Sequence, residues 1–216
     1  MITRREFVAG TSALAILAAL NARFAPAALA QGAALSTAEL METGTLPEQS
    51  LGKDDAPVTV IEYASMTCGH CAAFHTNTYP EFKKRYVDTG KVRYILREFP
   101  LDQRAAGAFM LARCAGKDKY FPLVEVFFER QQNWAFVQNP IPPMLAIAQQ
   151  AGFTKQTFEA CLSDQKLLDG IEWVRARGSE KFRVDSTPTF FINGKIFKGA
   201  LSIDDMAKAI DPLLKS

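Results

Sequence analysis

The fold of this chain is decided by the stretch Val58-Thr59-Val60-Ile61-Glu62-Tyr63-Ala64-Ser65-Met66-Thr67-Cys68-Gly69-His70-Cys71. Its first six residues are β-branched and mostly apolar, a pattern typical of a strand that is buried on both faces of a parallel sheet. From Gly69 to about Asp88 the apolar spacing predicts a helix, kinked near Pro80 and ended by Thr89-Gly90. The two cysteines therefore lie where a strand passes into the start of a helix.

The rest of the chain extends this βα unit. Lys91 to Phe99 is predicted to be the next strand, and Asp102 to about Gly178 a series of helices whose aromatic residues, Trp134 and Trp173 among them, form a core. Two short β runs then flank Asn193-Gly194, a strong hairpin signal. The predicted element order is βαβ, a helical segment, and ββα with a closing helix.

Residues 1–30 have the pattern of an export signal. Arg4-Arg5 precedes an apolar run from Val8 to Leu20, which falls short of the roughly 20 residues needed to span a bilayer. Ala28-Leu29-Ala30 is a small-x-small cleavage pattern, so we expect the signal to be cleaved after Ala30, with no stable membrane insertion of the mature chain. The paired arginines resemble a twin-arginine signal, and a general secretory signal is the alternative. Either signal predicts a periplasmic protein.

The charge balance narrows the class of partner. Removing residues 1–30 takes three arginines and one glutamate from the 25 basic and 23 acidic residues of the chain, which leaves a neutral mature protein. Neutrality argues against nucleic acid and against anionic lipid as partners.

Residues 31–56 are polar and are interpreted as an N-terminal leader segment. The mature chain is of a size for one domain, or for one domain with an insertion.

Cys68 and Cys71 are spaced for thiol-disulfide exchange. A cysteine at a helix N-terminus faces unpaired backbone N–H groups and the positive end of the helix dipole, which lower the pKa of its thiol. Cys68 holds that position and is predicted to attack. Cys71, one turn further, is predicted to close the disulfide and to release a trapped mixed disulfide. His70 adds a ring that can donate to the thiolate or pair with it when protonated. Since the two cysteines carry the exchange themselves, we expect no cofactor.

A second motif, Ser186-Thr187-Pro188-Thr189-Phe190-Phe191-Ile192-Asn193-Gly194, lies far along the chain. Together with the strand that ends in Cys68-Gly69-His70-Cys71, it resembles the DsbA branch of the thioredoxin superfamily over nearly all of the mature chain. The resemblance implies an α/β protein, namely a thioredoxin fold with an inserted all-helical domain. The thioredoxin domain would comprise residues 57–101 and 179–216, and the inserted helical domain residues 102–178.

The resemblance also implies roles for single residues. Pro188 is expected to be a cis proline beside the cysteines, and Thr187 to pair with an extended substrate as an added strand would. Glu62, the one charge in the buried strand, corresponds to a buried acid of the family that relays the proton of the resolving thiol. The alternative for Glu62 is a charge at a strand edge that reaches water. The family partner that reoxidises such a protein is a DsbB-like, quinone-linked membrane protein.

The other two cysteines, Cys114 and Cys161, are each other's only partner inside the chain if Cys68 and Cys71 form the active pair. An even cysteine count suits an oxidising compartment, so we predict a structural disulfide between them, with two buried free thiols as the alternative. His75 is expected to be an exposed helix histidine. A zinc site built from it and the active pair would lack a fourth ligand with zinc-finger spacing, so we predict no metal site.

The sequence thus predicts a periplasmic, monomeric oxidoreductase that donates the Cys68–Cys71 disulfide to reduced secreted or periplasmic proteins. One alternative is a disulfide isomerase or reductase of the DsbC or ScsC kind. Gly69-His70 matches the dipeptide of the eukaryotic disulfide isomerase, and Thr187 resembles the bacterial isomerases, but residues 31–56 are too short for a separate dimerisation domain. The alternative of another class is a metal-binding module that uses Cys68 and Cys71.

Overall fold

The computed structural model of the chain describes residues 37–215. The predicted export signal and its cleavage site lie outside the described residues. Within residues 37–215, no helix is both long enough and apolar enough to cross a membrane.

The centre of the described structure is a five-stranded sheet in the order β1-β3-β2-β4-β5. Its strands are β1 (Gln49–Leu51), β2 (Val58–Ala64), β3 (Val92–Glu98), β4 (Thr189–Ile192) and β5 (Lys195–Lys198). β2 and β3 run parallel, whereas β1 pairs with β3, β4 with β2, and β5 with β4 in antiparallel fashion. Along the chain, the predicted order of elements is confirmed, and β1 is an additional strand that lies at one edge of the sheet.

Helices surround this sheet. They are α1 (Thr37–Met41), α2 (Gly69–Asn77), α3 (Tyr79–Phe82), α4 (Gln103–Cys114), α5 (Lys117–Glu129), α6 (Gln131–Trp134), α7 (Ile141–Gln150), α8 (Lys155–Leu162), α9 (Gln165–Glu180) and α10 (Ile203–Ile210). A π-helical turn, Lys83–Val87, continues α3, and a 3-10 turn, Asp211–Leu214, follows α10. The helices α4 to α9 all lie between β3 and β4, as the helical segment was predicted to do.

The central strand β2 is buried on both faces, which explains its apolar sequence. Val60 packs into the larger core, formed with α2, α4, α5 and α10. Ile61 and Tyr63 point to the opposite face, where a smaller core contains Leu40 of α1 and Phe182 just after α9. Because both faces of β2 are covered, any polar side chain on it needs a partner inside the protein.

The hairpin between β4 and β5 has the predicted two-residue turn. Ile192 pairs with Lys195, so Asn193 and Gly194 form the whole connection. Their φ angles are 42° and 83°. A type I′ turn requires positive φ at both positions, and asparagine and glycine are the residues that adopt it most readily.

Two features differ from the sequence prediction. The segment that was interpreted as a leader contributes β1 to the sheet, and its Leu40 is buried in the smaller core. Trp173 was predicted to be a core residue, but its side chain is 40% exposed. It lies against Gly44 instead, where a Cβ atom would come within 2.5 Å of the indole ring. Trp173 therefore covers the N-terminal segment from outside the core.

Candidate active site

Cys68 is the N-cap residue of α2. Its backbone is extended, with φ −82° and ψ 121°, and its carbonyl accepts the first helical hydrogen bond, from Ala72 N–H at 3.1 Å. The side chain of an N-cap residue faces the free N–H groups of the second and third helical positions, which here are His70 and Cys71. The sulfur of Cys68 is thus placed where a helix start accepts negative charge.

The surroundings of Cys68 lower the pKa of its thiol from 9.0 to about 5. The largest cause is a hydrogen bond from the Cys71 thiol to the Cys68 thiolate. Desolvation opposes it, while the side chain of Thr187 and the backbone N–H groups of Cys71 and His70 add further hydrogen bonds. Because these donors favour the charged form, Cys68 is mainly a thiolate at neutral pH.

Cys71 has the opposite environment. Both cysteines are free thiols in this structure, but Cys71 is fully buried whereas Cys68 is partly exposed. Burial raises the pKa of Cys71 well above 9, and its hydrogen bond to Cys68 and the negative charge of Glu62 raise it further. The pair therefore consists of one accessible nucleophile and one protonated, inaccessible thiol.

The loop before β4 lies directly against the nucleophile. The Thr187–Pro188 peptide bond is cis. The thiol form of Cys68 donates to the carbonyl oxygen of Thr187 at 3.2 Å. The Thr187 hydroxyl is buried and has no other hydrogen-bond partner among the described residues, so it is free to donate to the thiolate form. Thr187 thus offers a different group to each protonation state of Cys68.

Glu62 lies in β2, beneath α2, and is fully buried. Its Oε2 accepts a hydrogen bond of 2.5 Å from the Tyr94 hydroxyl, and His75 Nε2 lies 3.3 Å from the same oxygen. The alternative of a strand-edge charge that reaches water is therefore wrong. Glu62 is close enough to Cys71 for its charge to raise the pKa of that thiol.

The two histidines differ from their predicted settings. His70 is exposed, and its ring makes no hydrogen bond to the sulfur of Cys68; its contribution comes from its backbone N–H. His75 was expected to be exposed, but only 5% of it is. Its ring stacks on Phe128 of α5 with centroids 4.2 Å apart. A helix position is buried here because a second helix covers it, and spacing within α2 could not indicate that.

Sequence reasoning also missed two residues that hold the cysteine loop. Gln131 is buried, and its amide donates to the carbonyl oxygens of Met66 at 2.9 Å and Cys68 at 3.0 Å. Asp102, the N-cap of α4, accepts a 2.8 Å hydrogen bond from the Thr67 hydroxyl. An aspartate just before a helix signals an N-cap, but no sequence signal connects either residue to the loop.

The helices between β3 and β4 contain the other cysteine pair. The structure joins Cys114, the last residue of α4, to Cys161 in α8 by a disulfide, with Cα atoms 6.2 Å apart.

Residues 37–215 contain no group of three or more histidine, cysteine or acidic side chains that could hold a metal ion. The metal-binding alternative for Cys68 and Cys71 thus finds no further ligand in the described part of the chain.

A thioredoxin-like sheet, a cysteine pair at a helix start and a facing cis-proline loop define a protein of the thiol-disulfide exchange class. The family model described as Thioredoxin matches residues 45–212. A putative protein-disulfide oxidoreductase of Rickettsia bellii is 34% identical over 167 residues, which are 76% of this chain and 64% of that protein. The chain therefore spans less than two thirds of that relative's length.

Solved structures agree with the family model. Wolbachia pipientis alpha-DsbA1 has a TM-score of 0.77 and 31% sequence identity, over 83% of this chain and 96% of that chain. BdbD from Bacillus subtilis has a TM-score of 0.70 over 78% of this chain and 94% of that chain, and at 23% identity it supports the fold alone. The chain belongs to the DsbA-like thiol-disulfide oxidoreductases of the thioredoxin superfamily, as its sequence motifs predicted.

Proposed function

We propose that the protein is a periplasmic oxidase that transfers the Cys68–Cys71 disulfide to reduced secreted or periplasmic proteins. The observation that carries the proposal is the opposite charge preference of the two thiols. The pKa of Cys68 is lowered to about 5, whereas that of Cys71 is raised well above 9. Stabilising the Cys68 thiolate stabilises the reduced protein, and this makes the disulfide a better oxidant.

The reaction proceeds in two exchanges. A substrate thiolate attacks the Cys68 sulfur of the disulfide, and Cys71 leaves as a thiolate that takes up one proton. A second substrate thiolate then attacks the substrate sulfur of the mixed disulfide, and Cys68 leaves as a thiolate. Two electrons pass from the substrate to the protein, the substrate gains a disulfide, and one of its two thiol protons goes to the solvent.

Thr187 and Pro188 are proposed to bind the substrate, and Glu62 to exchange a proton with Cys71. The Thr187 carbonyl oxygen lies 3.2 Å from the Cys68 sulfur, so a chain attached to that sulfur would run alongside the Thr187 backbone. Backbone pairing accepts many sequences, which suits a protein that acts on many substrates. His70 would contribute through its backbone N–H.

The proposed compartment and recharging partner follow from the sequence and the family. The export signal predicted in residues 1–30 directs the chain to an oxidising compartment, where reduced exported proteins are the available substrates. A DsbB-like, quinone-linked membrane protein would return the reduced pair to the disulfide.

The proposal is tested by trapping the intermediate. The variant Cys71→Ser retains the nucleophile but lacks the resolving thiol, so it should accumulate a mixed disulfide at Cys68 with a substrate protein that carries a disulfide. Cys68→Ser is the matched control and should form no adduct. The unmodified, oxidised protein should in parallel oxidise a reduced, unfolded substrate. An adduct in Cys68→Ser, or no substrate oxidation by the unmodified protein, would overturn the proposal.

A further inference from the structure

A cluster of buried polar side chains connects the sheet with the outer side of α2. Glu62 of β2 accepts a hydrogen bond from Tyr94. Its Oε2 also lies 3.3 Å from His75 Nε2, although these two atoms do not form a hydrogen bond. Tyr79 lies beside the His75 ring, with centroids 4.9 Å apart. His75 therefore stands between the carboxylate and the aromatic side chains that close over it.

Several polar atoms of this cluster lack partners. Among the described residues, Oε1 of Glu62, both ring nitrogens of His75 and the hydroxyl of Tyr79 are buried without a hydrogen bond. A buried polar atom left unpaired destabilises the folded state, so such atoms are few in most folds. Their concentration around one carboxylate indicates that the cluster serves chemistry and not stability.

The outer side of His75 meets a surface cleft. The cleft is lined by His75, Thr76, Tyr79, Lys83, Glu125 and Glu129, among other residues. Glu125 is exposed there, yet desolvation by its neighbours raises its pKa, and His75 and Lys83 oppose that rise. His75 is thus close enough to influence Glu62 on one side and Glu125 on the other.

The inner end of the cluster is the resolving thiol. Cys71 and His75 are four residues apart in α2 and so lie on the same helix face. Cys71 is fully buried. When it attacks a mixed disulfide it must lose a proton, and with no exposed surface it needs an acceptor inside the protein.

We propose that His75 is a positioning residue that links Glu62 to the cleft at Glu125, so that the proton of Cys71 leaves on the side of α2 remote from the substrate. The inference rests on the proposed function, because it concerns the resolving step of the same exchange. Cys71 forms a bond to the Cys68 sulfur, and the substrate sulfur departs as a thiolate. The Cys71 proton goes to Glu62 and then to His75. Because both ring nitrogens of His75 are buried in the structure, release of the proton to water in the cleft requires a rotation of that ring.

The test uses the reduced, full mature protein and the chromogenic disulfide of thionitrobenzoate. Attack by Cys68 releases one coloured thiolate in a phase whose rate depends on reagent concentration. Attack by Cys71 on the resulting mixed disulfide releases the second in a phase that does not. The two phases separate the nucleophile from the resolving thiol in a single measurement.

We expect His75→Gln to leave the first phase unchanged and to slow the second about tenfold, less than the roughly 10²–10⁴-fold of a full acid-base group because Glu62 remains. The smaller variant His75→Ala should show the same split, and added imidazole should accelerate only its second phase. Glu81→Gln, an exposed carboxylate of α3 that does not line the cleft, is the matched control and should change neither phase.

Equal second phases in the unmodified protein and in His75→Gln would overturn the inference and leave the proposed function intact. A slowing of both phases together would also overturn it, because the role of His75 would then be structural. If the unmodified protein shows no fast first phase at neutral pH, it is the proposed function that fails.

Discussion

Two identical side chains three positions apart in the sequence, Cys68 and Cys71, differ in function because their neighbours differ. Cys68 caps a helix and receives hydrogen bonds from Cys71, Thr187 and backbone N–H groups, which favour its charged form. Cys71 is buried near the negative charge of Glu62, which favours its neutral form. The division into an attacking and a resolving thiol thus follows from solvation and hydrogen bonding.

Thr187 should contribute measurably to the thiolate. In Thr187→Val the hydroxyl donor is lost while the backbone carbonyl remains, so we expect the pKa of Cys68 to rise by about 1, the equivalent of one hydrogen bond to a charged group. The midpoint is read from the pH dependence of alkylation of the reduced protein. Thr189→Val, on the other side of Pro188, is the control, because its hydroxyl donates to Ser186. An unchanged midpoint in Thr187→Val would refute this role.

The lowered pKa of Cys68 also predicts how the stability of the reduced protein depends on pH. Between about pH 5 and pH 8.5 the folded state has released the Cys68 proton and the unfolded state retains it. The free energy of unfolding therefore increases with pH across this range, and the contribution is lost as the pH falls to about 5. Cys71 keeps its proton in both states over this range.

Denaturant unfolding of the reduced protein and of Cys68→Ser measures this contribution. The difference between their free energies of unfolding should increase with pH. Its slope should be below the ideal ~1.4 kcal/mol per pH unit because Cys68 is partly exposed and screened. If the free energies of unfolding of the two proteins differ by the same amount at every pH, the pKa of Cys68 is the same in the folded and the unfolded state, which would contradict the prediction.

At the scale of elements, the sequence predicted whatever depends on local pattern. The buried strand β2, the helix start at Cys68 and the Asn193-Gly194 hairpin each have a signal within a few residues, and each is present. The same patterns predicted the helical segment between β3 and β4. Its last helix, α9, ends at Glu180, two residues beyond the predicted end at Gly178.

The remaining features depend on contacts between distant parts of the chain. β1 is a three-residue strand of sequence Gln-Ser-Leu, formed only because β3 offers an edge to pair with. His75 is buried by α5, and Gln131 reaches the cysteine loop from 63 residues away. Neither periodicity nor spacing records which helix will cover which residue, so these parts of the site could not be predicted.

The bridge between α4 and α8 should stabilise the helical segment. Replacing Cys114 and Cys161 together by alanine opens a loop with a sequence separation of 47, worth about 4 kcal/mol in the chain-entropy model. We expect a loss of that order in the free energy of unfolding of the oxidised protein, while the pKa of Cys68 stays near 5. Identical unfolding curves for the variant and the parent would contradict the presence of the bridge in the folded protein.

For the whole molecule, the predicted monomer separates an oxidase from an isomerase that brings two sites together. Sedimentation should give the mass of one chain, and the protein should oxidise a reduced substrate faster than it restores a scrambled one. The same samples are used for both assays, so mass and activity refer to one state. A dimer or trimer that favours the scrambled substrate would support the isomerase alternative instead.

The central claim is that stabilisation of the Cys68 thiolate makes the Cys68–Cys71 disulfide oxidising. Its most direct test is the reduction potential of that pair, measured by equilibration of the protein with glutathione redox buffers at neutral pH. The account predicts a potential of about −180 mV or less negative, the region of disulfide isomerases and oxidases. A value near −270 mV, about that of the reductant thioredoxin, would contradict it.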